Sequence, residues 1–170
     1  MEQVLCSHIT SLVYSKVKGS NNGLLEFTEA LFRDAVLADQ ELSDVFGSAL
    51  RLYRKDCDYF SQLKISKENE ISSFVESCLD NSNIKLCKDG LKFLSFLLSH
   101  NRTQLTKIAF YLIARMKKKT INEVDFKTAV RIIYGDCPVL FDKLYKKIET
   151  VATRCKDSKA NRKVLGNLRR

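Results

Sequence analysis

Proline occurs once in this chain, at Pro138, and glycine only six times in 170 residues, so little is present to break a helix. No Cys-x-x-Cys pair occurs among the six cysteines, at 6, 57, 78, 87, 137 and 155, and no histidine stands near one at zinc-ligand spacing. Free thiols in a reducing compartment are therefore expected, and no metal site. No glycine-rich phosphate loop is present, and the two histidines, His8 in an amphipathic stretch and His100 in a polar island, stand in no recognised arrangement with Ser or Cys. Both read as ordinary surface residues, and neither an enzyme nor a cofactor is expected. No apolar run approaches the roughly 20 residues that span a bilayer, and the start lacks a basic region followed by an apolar core. The expectation is a soluble, intracellular chain without membrane contact.

What the chain has in plenty is positive charge, a net of +9, alongside 45% hydrophobic residues. The first argues for a polyanionic or acidic partner, the second against wholesale disorder. Residues 1–50 hold three basic and seven acidic groups, a net of −4, so residues 51–170 carry +13.

The stretch from Cys87 to Tyr134 organises the rest. Leu91, Leu94, Leu98, Leu105, Ile108 and Leu112 fall at the three-and-four spacing of one helical face, predicting a helix from about Lys88 to Met116. At 1.5 Å per residue it extends about 43 Å. Phe93, Phe96, Leu97, Tyr111 and Ile113 lie off that stripe, so the helix needs cover on two sides. The island from His100 to Gln104 reads as a solvated face or slight bend. A turn containing Lys117, Lys118 and Lys119 follows. Asn122 then caps a second helix, with Glu123 and Asp125 at its positive end, Phe126, Ala129, Val130 and Ile133 as its buried stripe, and Gly135 as its stop.

Leu86-Cys87-Lys88-Asp89 opening a long helix, then Lys119-Thr120-Ile121, then Phe126-Lys127-Thr128-Ala129-Val130-Arg131-Ile132-Ile133, resembles the core histone family, and within it most resembles histone 2B. The resemblance covers roughly residues 66–156. It implies an all-α histone fold: a short helix from Ile71 to Leu79, a first loop, the long central helix, a short helix, and an extra C-terminal helix over Pro138–Lys156. It also implies that a similar chain crosses the central helix through Leu91, Leu94, Leu98, Leu105, Ile108 and Leu112, so that folding and pairing become one event. In that fold the first loop of one chain lies beside the second loop of the other, and the pair presents backbone amides and cations to DNA phosphates. Mapped here, the first loop is Ile84–Cys87 and the second Lys117–Thr120. The implied DNA contacts are Lys85, Lys88, Lys117, Lys118, Lys119 and Thr120. Lys118 or Lys119 stands where the family has a minor-groove arginine, and loss of the planar fork implies weaker groove insertion.

The chain departs from the family at both ends. Where histones carry a basic tail, residues 1–60 show apolar periodicity: Val4 to Val17, a break at Gly19–Gly23, then helices through Leu25, Phe27, Leu31, Phe32, Ala35 and Val36 and through Leu42, Val45, Phe46, Ala49, Leu50 and Tyr53, meeting near Ala38–Gln40. No part of this segment repeats the Thr-Ile and Thr-Ala-Val-Arg pattern, so it reads as a helical extension rather than a second histone-like unit. Residues 55–66 read as a junction, with Ser66 capping the next helix. Lys143, Lys146 and Lys147 face outward where histone 2B contributes carboxylates to an acidic patch, and residues 157–170 read as a disordered basic tail.

The expected function is DNA packaging in nucleosome-like particles, as a heterodimer with a histone 2A-like partner on double-stranded DNA and with other core histones in an octamer. The implied location is the nucleus, or the virion of a large DNA virus. The alternative is a histone-fold subunit of a transcription or kinetochore complex, acting as a protein-interaction scaffold.

Overall fold

The computed structural model describes residues 1–18, 24–53, 68–78, 84–117 and 119–167. The protein is mostly helical, and its elements run α1 (Glu2–Val17), β1 (Leu25–Phe27), α2 (Glu29–Ala38), α3 (Gln40–Leu52), α4 (Glu68–Ser77), β2 (Ile84–Leu86), α5 (Lys88–Arg115), α6 (Glu123–Tyr134) and α7 (Pro138–Asn167). The described chain divides into two compact units: residues 2–107, and residues 108–170 with Met1. The division passes through α5.

In the first unit, α1 packs on α2 and α4, and α2 packs on α3. Leu5, Ile9 and Val13, each one turn from the next, are fully buried, as are Phe32, Leu42 and Phe46. Burial of each such side chain contributes about 1.5–3 kcal/mol. Asp39 is shared between two helices: its N–H donates to Ala35 O at 3.2 Å and closes α2, while its carboxylate accepts from Leu42 N at 2.9 Å and opens α3. The two helices therefore meet where the sequence places their junction.

Leu25 to Phe27 is extended rather than helical. It pairs in parallel with β2 in the register Leu25↔Ile84, Glu26↔Lys85 and Phe27↔Leu86, and Cys87 N donates to Phe27 O at 3.0 Å. Helical periodicity cannot detect a three-residue strand. The contact also accounts for Gly90, whose added Cβ would stand 2.4 Å from Phe27 O and 3.2 Å from the Phe32 ring.

The amino half of α5 is covered by its own chain. Tyr53 meets Phe93 edge-on at 5.1 Å between ring centroids and Phe96 at 4.9 Å, and every residue from Phe93 to Ser99 is buried. Of the six expected pairing residues, Leu94, Leu98 and Leu105 are thus already buried in the single chain, while Leu91, Ile108 and Leu112 are half-buried. The polar island corrects a second expectation. Asn101 is 2% exposed and His100 is partly buried, because α5 runs through this point unbroken with neighbours on more than one side. His8 likewise is no ordinary surface residue, since its Nε2 lies 3.9 Å from the Asp39 carboxylate and its side chain is 12% exposed.

In the second unit α6 packs on α7, and Ala129, Val130, Tyr134, Leu140 and Leu144 are fully buried. α7 continues to Asn167, so the described part of the expected disordered tail is helical. Its Lys, Arg, Ala and Leu content favours helix, and no proline interrupts it. The expected Ser66 cap, the glycine-rich break, the 55–66 junction and Cys57 lie outside the described residues.

Candidate nucleic-acid interface

The turn between α5 and α6 begins where α5 runs out of helical bonds: Met116 N donates to Leu112 O and Lys117 N to Ala114 O. Lys117 then takes φ 52°, the one non-glycine residue with positive φ among those described. That conformation turns the chain sharply after a helix, at roughly 1–2 kcal/mol for a residue with a Cβ. The far side is fixed by a reciprocal cap, in which Asn122 Oδ1 accepts from Asp125 N and Asp125 Oδ2 accepts from Asn122 N, both at 3.0 Å. Between these anchors Lys117, Lys119 and Thr120 are exposed, beside the N-terminus of α6. Exposed ammonium groups next to a helix N-terminus form an electropositive surface suited to anions. Lys118 lies outside the described residues.

The other two expected contacts lie in the first unit. Lys88 is exposed at the first position of α5, where a cation stands against the helix dipole unless an anion is added. Lys85 is also exposed, but its ammonium is 2.8 Å from Glu26 Oε1, directly across the strand pair. That hydrogen bond and charge raise the Lys85 pKa. Carboxylates also hold the adjoining helix starts: Asp89 Oδ2 accepts from Glu29 N at 3.1 Å, and Glu29 Oε1 accepts from Arg33 Nη2 at 2.9 Å. Sequence reasoning missed Glu26 and Glu29 as neighbours of this loop, because only the pairing of β1 with β2 brings them there.

Charge is divided unevenly. Residues 108–170 hold sixteen basic and six acidic groups, a net of +10, whereas residues 1–107 hold thirteen and fourteen, a net of −1. Within the basic part Lys127 is occupied, lying 3.0 Å from Glu123, 3.1 Å from Glu149 and 4.6 Å from the Tyr145 ring centroid. Its pKa is raised, chiefly by the Glu123 hydrogen bond and then by that of Glu149. Arg131, Lys143 and Lys146 are exposed.

Among the described residues no three His, Cys, Asp or Glu side chains are grouped so as to hold a metal ion, and no helix is long and apolar enough to cross a membrane. Cys6, Cys78, Cys87, Cys137 and Cys155 are free thiols. Compared with family models, curated proteins and solved structures, the chain matches none.

Proposed function

We propose that this protein is a diverged, histone 2B-like packaging protein that binds the DNA backbone without base specificity, alongside a histone 2A-like partner. The observation that carries this reading is the exposed lysine turn between α5 and α6, fixed at one end by Lys117 and at the other by the Asn122–Asp125 cap, within a part of the chain whose net charge is +10. Such a site neutralises phosphates irrespective of sequence, and affinity then falls steeply with salt. The parallel pairing of β1 with β2 joins the loop at Ile84–Cys87 to the chain's own residues 25–27, where the resemblance implies the second loop of another chain. Titration of mixed-sequence duplexes at several salt concentrations, with and without the turn lysines, tests the function.

One observation favours the scaffold reading instead. Lys85, a DNA contact implied by the resemblance, is engaged by Glu26 across the strand pair. A loop pair neutralised in this way suits a protein-interaction subunit of a transcription or kinetochore complex. An unchanged salt slope after removal of the turn lysines would make that the better account.

A further inference from the structure

Along α7 one helical face keeps its register and changes its chemistry. Leu144, Ile148, Val151 and Cys155 follow one another at three-and-four spacing, and the same face continues at positions 159 and 162, which are Lys159 and Arg162. Up to Cys155 that face has an apolar neighbour. α7 runs back along α6, so that Lys127 bonds to Glu149 at 3.1 Å, and Ile121 and Phe126 line one groove with Ile148, Val151 and Cys155. α6 begins at Glu123, level with this groove, whereas α7 extends twelve residues past Cys155, to Asn167. At 1.5 Å per residue that extension is about 18 Å long. The lysine turn immediately precedes Ile121, so it stands at the same end of the α6–α7 pair, with Lys117, Lys119 and Thr120 exposed.

The extension is also unbalanced in charge. Residues 156–167 hold the four cations Lys156, Lys159, Arg162 and Lys163 against the one acid Asp157, a net of +3. Lys159 is three or four positions from each of Lys156, Arg162 and Lys163, a spacing at which like charges on a helix repel. A helix face that meets only water ordinarily carries both signs at this spacing. The helix dipole favours cations only within the last turn, and Lys156 and Lys159 lie before it. A polyanion laid along the extension relieves the repulsion that the helix itself leaves standing.

We infer that α7 beyond Cys155 is a second phosphate-binding element, whose Lys159 and Arg162, in register with the groove face, act together with the lysine turn on the backbone of one DNA duplex. Along about 18 Å a duplex presents roughly ten phosphate charges, at one per 1.7 Å of its axis, which suffices for both sets of cations. The contacts that the histone resemblance implies are confined to the two loops, and this one lies on the helix that follows the fold. The inference rests on the DNA part of the proposed function.

Two variants of the full chain test it, each titrated with a mixed-sequence duplex over a range of salt concentrations. Lys159→Gln with Arg162→Gln removes two charges and keeps residues of similar helix propensity. The second variant exchanges neighbours, Lys159→Ala with Ala160→Lys and Asn161→Arg with Arg162→Asn, which preserves the net charge but turns both cations by about 100° around the helix axis, off the face. Each variant is expected to flatten the plot of log affinity against log salt by about 1.8, at 0.9 per contact, with the far-ultraviolet helical signal unchanged. A slope within about 0.5 of the unaltered chain in the first variant overturns the inference. An unaltered slope in the second overturns it too, since charge placed anywhere on the helix would then serve. Failure of the packaging function looks different: the unaltered chain then binds duplex without salt dependence, or keeps its slope when the turn lysines are removed. A slope that falls on removal of the turn lysines and is unmoved by both α7 variants overturns this inference alone.

Discussion

A single added methyl on Gly90 would meet the carbonyl oxygen of Phe27 at 2.4 Å, across 63 positions of chain. The obstacle is backbone, which cannot rotate away as a side chain could. Gly90→Ala should therefore destabilise the first unit by about 1–3 kcal/mol through overpacking, despite alanine's better helix propensity. Urea denaturation measures this, and an unchanged or raised midpoint would show that β1 does not sit on α5.

Removing residues 1–60 strips Tyr53 from Phe93 and Phe96 and takes β1 from β2. The truncated protein should aggregate, or melt without a cooperative transition, because the amino half of α5 then carries its large apolar side chains into water. Sedimentation and thermal melting decide the matter. A truncated chain as stable as the whole would make the segment an independent docking module.

Replacing Lys117, Lys118 and Lys119 together with Ala should flatten the plot of log affinity against log salt by about 2–3 units, at roughly 0.9 per phosphate contact. Binding should weaken about equally on unrelated sequences, while partner pairing survives.

Glu26→Gln should act in the opposite sense. It removes the charge that engages Lys85 but preserves the shape of the strand. If this loop pair approaches DNA, the salt slope steepens by about one contact, roughly 0.9. An identical slope in the variant would place the β1–β2 edge away from the phosphates.

High pH offers a separate test of packing. Burial raises the Cys6 pKa from 9.0 to about 12, and burial with the Glu29 charge raises Tyr53 from 10.0 to about 12. Both groups are held neutral in the fold, so their contribution is fully present below pH 9 and is lost as pH rises toward 12. The melting temperature should be level with respect to these groups from pH 7 to about 9 and then fall. In Cys6→Ala the fall should begin nearer pH 10.

Long periodic segments were legible in the sequence. α5 is marked by six apolar residues at regular spacing and ends within one residue of the expected Met116, and α6 is bracketed by Asn122 and Gly135 as its caps require. Less legible were features made by contacts between distant positions. Leu25 to Phe27 has helix-compatible spacing, and only its partner, 59 positions on, makes it a strand. Lys85 reads as a free cation until Glu26 is placed opposite it. Residues 28–36 repeat the order of residues 122–130, a polar cap, then Glu, Phe, a basic residue, Ala and Val, but Asp34 and Leu37 stand opposite Thr128 and Arg131, leaving no Thr-Ala-Val-Arg string to find.

Because β1 and β2 belong to one polypeptide, their pairing is a first-order event. Dilution cannot separate them, and the closing of the chain between them costs an entropy that grows only slowly with its length. Where two separate chains must be made in matched amounts, β1 and β2 arise in one-to-one ratio at every level of expression. The melting of the first unit should correspondingly be independent of protein concentration.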